Sequence, residues 1–385
     1  MNTQGRLQYA KGIFGQEEKD AVMRALDSGW LSNGMETLNF EKEFAQWWGI
    51  KHALSVNSGS SANLVALQSL GLQKNSEIIT PAGGAFPTTV APMIYLGLKP
   101  VFMDVKGLCI DPDLIEQAIT KKTSAIVFAH TIGFSPDIER IIEIAKKHGL
   151  KVLEDCCDAV GSKINGKPVG TFGDVATVSF YPAHHMTTGE GGMVITNNDN
   201  IMREANSIRD WGRDCVCRMD KPNPVCVNRW SRPDFDHRYY YTRIGLNFKM
   251  NEMTAAFGRE QLKRLDGFIT FRKRNFKILA DALGQPNYPD MSPFCYPLFS
   301  KNRAEDMKRL EEAGIETRVL FSGNLLKHPA YKNIGRVVGE LTESNRLFKE
   351  CYFVGVGPHL TEENMLYIAD QISALPHSPL LSVSP

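Results

Sequence analysis

The first two-thirds of the chain alternate short runs rich in apolar and β-branched residues with stretches of helical pattern. The runs that predict strands are HALSVNS (52–58), SEIITPA (76–82), KPVFMDV (99–105), SAIVFAH (124–130), LKVLEDC (150–156) and VATVSFY (175–181). Between two of them, IERIIEIAKKHG (138–149) has the pattern of an amphipathic helix that ends at a glycine. Alternation of this kind predicts an α/β fold with a mostly parallel sheet, whose ligands bind at the carboxyl ends of the strands.

The pattern changes near residue 250. Residues 251–283 predict one long helix with basic character, and residues 285–298 predict a loop rich in proline and aromatic residues. Helical segments at 304–314 and 361–375 follow, with Thr361 as a cap for the second. We therefore predict a large ligand-binding domain over residues 1–250 and, over 251–385, the long helix with a smaller α+β domain.

Composition excludes several classes of protein. Among 385 residues, 44 Lys and Arg balance 43 Asp and Glu, so the net charge of +1 provides no field for binding nucleic acid. A hydrophobic content of 43% is too high for a disordered chain. No apolar run approaches the roughly 20 residues of a membrane span, and the polar N-terminus does not resemble a signal peptide. We expect a cytoplasmic protein, in which the 8 cysteines form no disulfide framework.

Three segments have the residues of a ligand site. In VNSGSSAN (56–63), Gly59 and Ser60 open a helix after a strand, which suits an anion such as phosphate, although an ordinary Ser/Gly helix cap is the alternative. In LEDCCDAVGS (153–162), strand periodicity places Asp155 and Cys157 on one face and Cys156 on the other. Two roles are open for Asp155: it pairs with a protonated ring nitrogen of a ligand, or it caps the next helix. The third segment, SFYPAHHMTTGEGG (179–192), has two adjacent histidines in a turn.

These segments resemble the DegT/DnrJ/EryC1/StrS sugar aminotransferases, which have the fold-type I architecture of enzymes dependent on pyridoxal 5′-phosphate (PLP). Further resemblance lies in SGWLSNG (28–34), PAGGAFPTTVAP (81–92), IGLNFKMNEMTAAFGREQL (244–262) and ETRVLF (316–321). The resemblance implies that Gly59, Ser60 and Ser179 hold the cofactor phosphate, that Phe86 stacks on its ring and that Asp155 keeps the ring nitrogen protonated. Asp158 stands where relatives often have His or Gln beside the ring. Asn247 is expected to reach the phosphate of a neighbouring subunit, which implies a homodimer with shared sites.

The chain departs from the family at the lysine that binds the cofactor covalently. Relatives place it five residues after the serine of the SF motif and six before the glutamate of GEGG, and both counts lead to His184. Imidazole has no primary amine, so it cannot form that bond, but it can act as a base. This change resembles the sugar 3-dehydrase branch. It implies that the amine form of the cofactor, PMP, serves in removing the C3 hydroxyl of a nucleotide-linked 4-keto-6-deoxyhexose, with His184 as the base.

The cysteines bear on which kind of 3-dehydrase the chain resembles. One kind has a [2Fe–2S] cluster reduced by a separate flavin-containing reductase, and the other has no cluster and regenerates its amine from glutamate. Cys157, Cys215, Cys217 and Cys226 follow nearly the spacing of the first kind, with the last interval about one residue different. A zinc site and incidental thiols are the alternatives. A relative that binds a ligand without catalysis is a third hypothesis for the chain.

Three further residues lie in blocks that line the sugar-nucleotide side of the site in relatives: Trp30, Arg318 and His328. The guanidinium of Arg318 suits a diphosphate, and a surface salt bridge is the alternative. His185 is expected to point away from His184 and to be structural.

Overall fold

The structure is a computed structural model that describes residues 5–215, 229–232 and 234–376. The strands of this part of the chain are β1 (His52–Val56), β2 (Glu77–Pro81), β3 (Lys99–Met103), β4 (Val105–Lys106), β5 (Cys109–Ile110), β6 (Thr123–Ala129), β7 (Lys151–Asp155), β8 (Lys163–Ile164), β9 (Lys167–Pro168), β10 (Val175–Ser179), β11 (Gly192–Thr196), β12 (Cys295–Phe299), β13 (Thr317–Val319), β14 (Arg336–Val337) and β15 (Cys351–Gly355). The helices are α1 (Gln16–Asp27), α2 (Met35–Trp48), α3 (Gly59–Ser69), α4 (Pro87–Tyr95), α5 (Ile115–Ala118), α6 (Ile138–His148), α7 (Asp199–Arg209), α8 (Glu252–Ala282), α9 (Arg303–Glu312), α10 (Thr342–Glu350) and α11 (Glu362–Ser373). No helix among these residues is long and apolar enough to cross a membrane.

The central sheet has the strand order β1-β11-β10-β7-β6-β2-β3-β14. Its pairs are parallel except those of β11, which runs antiparallel to both β1 and β10. Strands such as β10 are buried along their whole length, as expected for a sheet covered on both faces. The predicted α/β fold with a mostly parallel sheet is confirmed.

Helix α6 shows how the sequence pattern builds a layer on this sheet. Its buried face is formed by Ile138, Ile141, Ile144 and Ala145, which pack into an apolar cluster with strand residues such as Ile126. Gly149 ends the helix in the left-handed conformation with φ of 65°, so the predicted helix and its C-terminal glycine are confirmed. On the opposite face of the sheet, α3 contributes Val65 and Ala66 to a second cluster.

The second part of the chain begins with the long helix α8, as predicted, and adds a small antiparallel sheet of order β12-β15-β13. The predicted loop over 285–298 is wrong in its last part, because Cys295–Phe299 forms β12. All five residues of this strand are buried, and Pro297 is tolerated because β12 lies at the edge of its sheet. The two-residue strand β14 returns to the large sheet beside β3.

Candidate active site

A cavity of about 660 Å³ lies at the carboxyl ends of the central strands. Its walls come from residues that follow β1, β7 and β10, and from the second part of the chain. They are Tyr9, Ser58, Gly59, Ser60, Asn63, Phe86, Thr88, Thr89, Ala129, Asp155, Cys157, Asp158, Ser179, Tyr181, Ala183, His184, Glu190, Phe294, Arg318, Val319, Phe321 and Phe353. This is the position at which parallel α/β sheets bind their ligands.

One end of the cavity is formed by the first turn of α3 against Ser179. The helix begins at Gly59, and the side chain of Ser58 caps it by accepting a hydrogen bond from the Ser61 amide at 3.1 Å. A Cβ at Gly59 would lie only 2.6 Å from Cβ of Ser179, so no side chain fits between them. The first amides of a helix have no partner within it, and this end therefore suits an anion.

Asp155 lies at the end of β7, and its side chain is almost completely buried. Its Oδ2 accepts hydrogen bonds from Nδ2 of Asn63 at 2.9 Å and from Oγ1 of Thr89 at 2.7 Å. Its Oδ1 accepts one from the amide of Cys157 at 3.1 Å. The carboxylate is thus held in one orientation at the wall of the cavity.

His184 lies in the turn after β10, between the rings of Tyr181 and Phe294, whose centroids are 6.4 and 5.5 Å from that of the imidazole. Its Nδ1 is 3.4 Å from Oδ1 of Asp158 but makes no hydrogen bond within the described residues. The turn is held by Arg272 of α8, whose guanidinium donates to the backbone carbonyls of Ala183 and His184 at 3.2 and 2.9 Å.

Electrostatics keep His184 uncharged. Burial, and then the positive charge of Arg272, lower the pKa of His184 to about 3. Burial, and then the charge of Asp155, raise the pKa of Asp158 to about 8. Near pH 7 the imidazole of His184 is therefore neutral, and the carboxyl of Asp158 mostly carries its proton.

These features fit PLP or its amine form. The start of α3 suits the phosphate, the half-exposed ring of Phe86 at the cavity wall suits stacking, and the buried carboxylate of Asp155 suits a ring N–H. None of the described residues that line the cavity is a lysine.

The cavity brings together the predicted residues Gly59, Ser60, Phe86, Asp155, Cys157, Asp158, Ser179, His184 and Arg318. Arg318 also pairs with Glu316 at 2.5 Å, so the salt bridge given as its alternative role is present. His185 points away from the cavity, and its Nε2 donates to the carbonyl of Ser292 at 3.1 Å.

The structure places three predicted residues outside the cavity. His328 donates from Nε2 to the carbonyl of Ser322 at 2.8 Å, so this nitrogen is occupied within the chain. Trp30 lies instead in a second cavity of about 240 Å³, together with Lys249. The amide of Lys249 donates to Oδ1 of Asn247 at 3.3 Å, and Asn247 is exposed. The roles of Trp30, Asn247 and His328 stay predictions.

The four cysteines are only partly placed. Cys157 lines the cavity, whereas its neighbour Cys156 is fully buried in the apolar core on the other side of the strand, as strand periodicity predicts. Cys215 is partly buried. Cys217 and Cys226 lie outside the described residues, so the cluster stays a prediction.

Another set of possible metal ligands, among the described residues, is His130, Glu154 and Cys156. The carboxylate of Glu154 is already occupied, because it accepts hydrogen bonds from His130 and from three backbone amides, those of Gly170, Phe172 and Gly173. Although burial favours its neutral form, these bonds lower the pKa of Glu154. Through these hydrogen bonds Glu154 fastens the 170–173 loop to β7, and its carboxylate is not available to a metal ion.

Sequence reasoning missed several residues around the site. Asn63 and Thr89 bind Asp155, Arg272 holds the His184 turn, and Tyr181 and Phe294 flank the imidazole. Most of these contacts join residues far apart in the chain, and a single sequence gives no signal for them. Tyr181 and Asn63 are the exceptions: Tyr181 lies three residues before His184, and Asn63 lies four residues after Gly59 and thus on the same face of a predicted helix.

Fold and site together define the class: the chain has the architecture of PLP-dependent aminotransferases, with a cavity that fits the cofactor. It belongs to the DegT/DnrJ/EryC1/StrS aminotransferase family, whose model matches residues 13–373.

Individual relatives agree with this assignment. The lipopolysaccharide biosynthesis protein RfbH of Salmonella typhimurium is 41% identical, over 93% of this chain and 89% of the relative. The dTDP-4-dehydro-2,6-dideoxy-D-glucose 3-dehydratase of Saccharopolyspora spinosa is 38% identical, over 94% of this chain and 84% of the relative. A solved structure of GDP-4-keto-6-deoxymannose-3-dehydratase with a trapped PLP-glutamate geminal diamine has a TM-score of 0.86 at 28% identity, covering 94% of this chain and 99% of that one.

Proposed function

We propose that this protein is a PMP-dependent 3-dehydrase, which removes the C3 hydroxyl of a nucleotide-linked 4-keto-6-deoxyhexose. The observation on which this rests is His184, an uncharged imidazole in the place of a lysine, in a cavity that also holds Asp155 and Asp158. The names of the related 3-dehydratases support the reaction class.

Each residue of the site has a distinct role in this proposal. The amides of Gly59 and Ser60 and the hydroxyl of Ser179 bind the phosphate, while Phe86 and Asp155 orient the ring. When bound, PMP supplies an amine that condenses with the C4 ketone and a protonated ring that accepts electrons. His184 would take a proton at an imidazole nitrogen from the carbon that bears the cofactor amine, and would give it to the C3 oxygen, which leaves as water. Tyr181 and Phe294 enclose the imidazole and limit the access of water.

We include a [2Fe–2S] cluster held by Cys157, Cys215, Cys217 and Cys226 in this proposal. Replacing the hydroxyl by hydrogen and releasing water consumes two electrons and two protons. The cluster would pass the electrons one at a time from a flavin- and iron–sulfur-containing reductase. The place of Cys157 at the cavity wall supports this, because electron transfer to the bound substrate requires a short path.

A second candidate is a 3-dehydratase without a cluster. It is favoured by the similarity to GDP-4-keto-6-deoxymannose-3-dehydratase, whose solved structure contains a PLP-glutamate adduct. In this case glutamate restores the amine form of the cofactor and leaves as 2-oxoglutarate. Purification without oxygen, followed by iron analysis and EPR of the reduced protein, separates the two candidates.

We also propose that two copies share their active sites. The exposed side chain of Asn247 and the cavity that contains Trp30 would face the phosphate and sugar end of the partner's site. Light scattering of the purified protein tests the dimer. An Asn247→Ala variant tests the sharing, because it should weaken PLP binding without changing the cavity of its own chain.

The decisive experiment for the reaction supplies PMP, a reductase and a panel of nucleotide-linked 4-keto-6-deoxyhexoses to anaerobic protein. A 3,6-dideoxy product detected by mass spectrometry is the expected result. His184→Asn should abolish it, whereas His185→Asn is the matched control because that imidazole faces away from the cavity. Full activity of the His184→Asn protein, or product formed only by transfer of an amino group to the sugar, would overturn the proposal.

A further inference from the structure

The side chain of Asp155 is held by a series of hydrogen bonds between buried polar groups, which we call the relay. Asn63 and Thr89, which donate to Oδ2, are 3% and 2% exposed. Thr177, which is fully buried, donates from Oγ1 to Oδ1 of Asn63 at 2.7 Å. Thr177 and Asp155 are register partners on the parallel strands β10 and β7, so the relay starts and ends on adjacent strands and passes through α3.

The relay determines which way the amide of Asn63 faces. An amide presents donors on one side and an acceptor on the other, and an acceptor turned toward a carboxylate would be repelled. With Thr177 donating to the amide oxygen, the NH₂ group is turned toward Asp155. The hydroxyl of Thr177 therefore fixes the orientation in which Asn63 can support the carboxylate.

The hydrogen bonds also determine which acceptor site of Asp155 stays open. A carboxylate has about four acceptor positions, two on each oxygen. Among the described residues, Asn63 and Thr89 occupy both positions on Oδ2, and the Cys157 amide occupies one on Oδ1. The remaining position is on Oδ1, at the wall of the cavity, where the weakly donating thiol of Cys157 also lies within hydrogen-bonding reach of the carboxylate.

Helix α3 connects this arrangement with the phosphate end of the site. Gly59 and Asn63 are four residues apart and thus lie on the same face of the helix, one turn from each other. The same rigid element therefore presents its first amides to a phosphate and its second turn to Asp155. This is the geometry needed to set the distance between the two ends of one ligand.

We propose that Asn63, oriented by Thr177 and assisted by Thr89, is a positioning residue that directs the open acceptor site of Asp155 at the ring nitrogen of the cofactor. This inference rests on the proposed binding of PLP through Asp155. It assigns to Asn63, Thr89 and Thr177 a function that acts through Asp155 and requires a nitrogen in the ring.

The test compares PLP with 1-deaza-PLP, in which the ring nitrogen is replaced by C–H, and measures dissociation constants by fluorescence. Thr177→Val keeps the shape of the side chain and removes the donor, and Thr177→Ser keeps the donor. We expect Thr177→Val to weaken PLP binding roughly five- to tenfold, the effect of about one hydrogen bond. Its affinity for 1-deaza-PLP should change less than twofold, and Thr177→Ser should bind PLP within about twofold of wild type.

Thr89→Val and Thr89→Ser repeat the comparison at Thr89, the second donor to Oδ2 of Asp155. Thermal melting without ligand shows whether Thr177→Val folds, and if it does not, the Thr89 variants provide the test. Equal losses for PLP and 1-deaza-PLP in the valine variants would show a merely structural role and overturn the inference. Unchanged PLP binding in both valine variants would also overturn it. Failure of the wild-type protein to bind PLP, or equal wild-type affinity for the two ligands, would instead overturn the proposed role of Asp155 itself.

Discussion

Nδ1 of His184 lies 3.4 Å from Oδ1 of Asp158, and both side chains are uncharged near pH 7. A pair so close usually suggests an ion pair, but burial disfavours both charges, and Arg272 disfavours the imidazolium. The result is a neutral base next to a protonated acid. The imidazole thus has a free lone pair and the carboxyl has a proton, although efficient acid–base catalysis needs a pKa nearer the working pH than about 3.

The first prediction concerns the missing covalent bond. Wild-type protein incubated with PLP and borohydride should retain no phosphopyridoxyl group after denaturation, because imidazole has no primary amine. His184→Lys should gain one such group per chain, since position 184 lines the cavity. Intact-protein mass spectrometry makes the measurement, with His185→Lys as the control that should stay unlabelled. A labelled wild-type protein would mean that another lysine occupies the site.

The second prediction follows from the low pKa of His184. The unfolded chain binds a proton near the ordinary value of 6.5, whereas the folded protein does so only near 3. As the pH falls from 6.5 toward 3, this residue alone should lower the free energy of unfolding by up to about 1.4 kcal/mol per pH unit. Urea unfolding at several pH values should give a shallower slope for His184→Asn. Identical slopes would show that the folded protein charges this imidazole normally.

Much of the fold and part of the site could be predicted from sequence, for identifiable reasons. Ile138–His148 and Gly149 combine an apolar stripe with a terminating glycine, both of which are local signals. Asp155 was recognisable because a charge at the end of an apolar strand is unusual. The strand Cys295–Phe299 was not, because its pairing with β15 depends on residues more than fifty positions away. The contact of Arg272 with the His184 turn is equally non-local.

The third prediction concerns Gly59. A methyl group there would meet the side chain of Ser179 at 2.6 Å, so Gly59→Ala should destabilise the protein by about 1–3 kcal/mol. It should also weaken PLP binding, because α3 would have to move away from β10. Gly267→Ala is the matched control. That glycine is exposed in α8 with nothing within 4 Å of its would-be Cβ, so alanine should stabilise by about 0.5–1 kcal/mol. Thermal melting measures the stability and fluorescence titration measures PLP affinity. Equal changes of both quantities in the two variants would contradict the prediction.

The fourth prediction concerns iron. If Cys157 is a cluster ligand, Cys157→Ser protein purified without oxygen should lose most of its iron and its visible absorption. Cys109→Ser is the control, because Cys109 is buried beside the Phe134 carbonyl and serine can keep that hydrogen bond. Iron retained at the wild-type level in Cys157→Ser would remove this residue from the ligand set. If the purified protein contains zinc and no iron, the four cysteines form a zinc site and not an iron–sulfur cluster.

The last prediction concerns Arg272, a buried cation that makes no salt bridge among the described residues and whose pKa burial lowers to about 10. Its guanidinium donates to the carbonyls of Ala183, His184 and Phe294, so it joins the His184 turn to the segment that covers the imidazole. Arg272→Met leaves these carbonyls without a donor, at a cost of about 1–3 kcal/mol for each that water cannot reach.

The consequence for function should be selective. Gly59 and Asp155 do not contact Arg272, so PLP should still bind to Arg272→Met within a few-fold of wild type, while dehydration should fall by at least tenfold, because His184 is no longer held in place. Arg272→Lys should recover part of the activity, since an ammonium can still donate to these carbonyls. Lys277→Ala, at an exposed position of the same helix, should change neither quantity. Loss of PLP binding in parallel with activity would show that Arg272 supports the whole cavity and has no particular effect on the base.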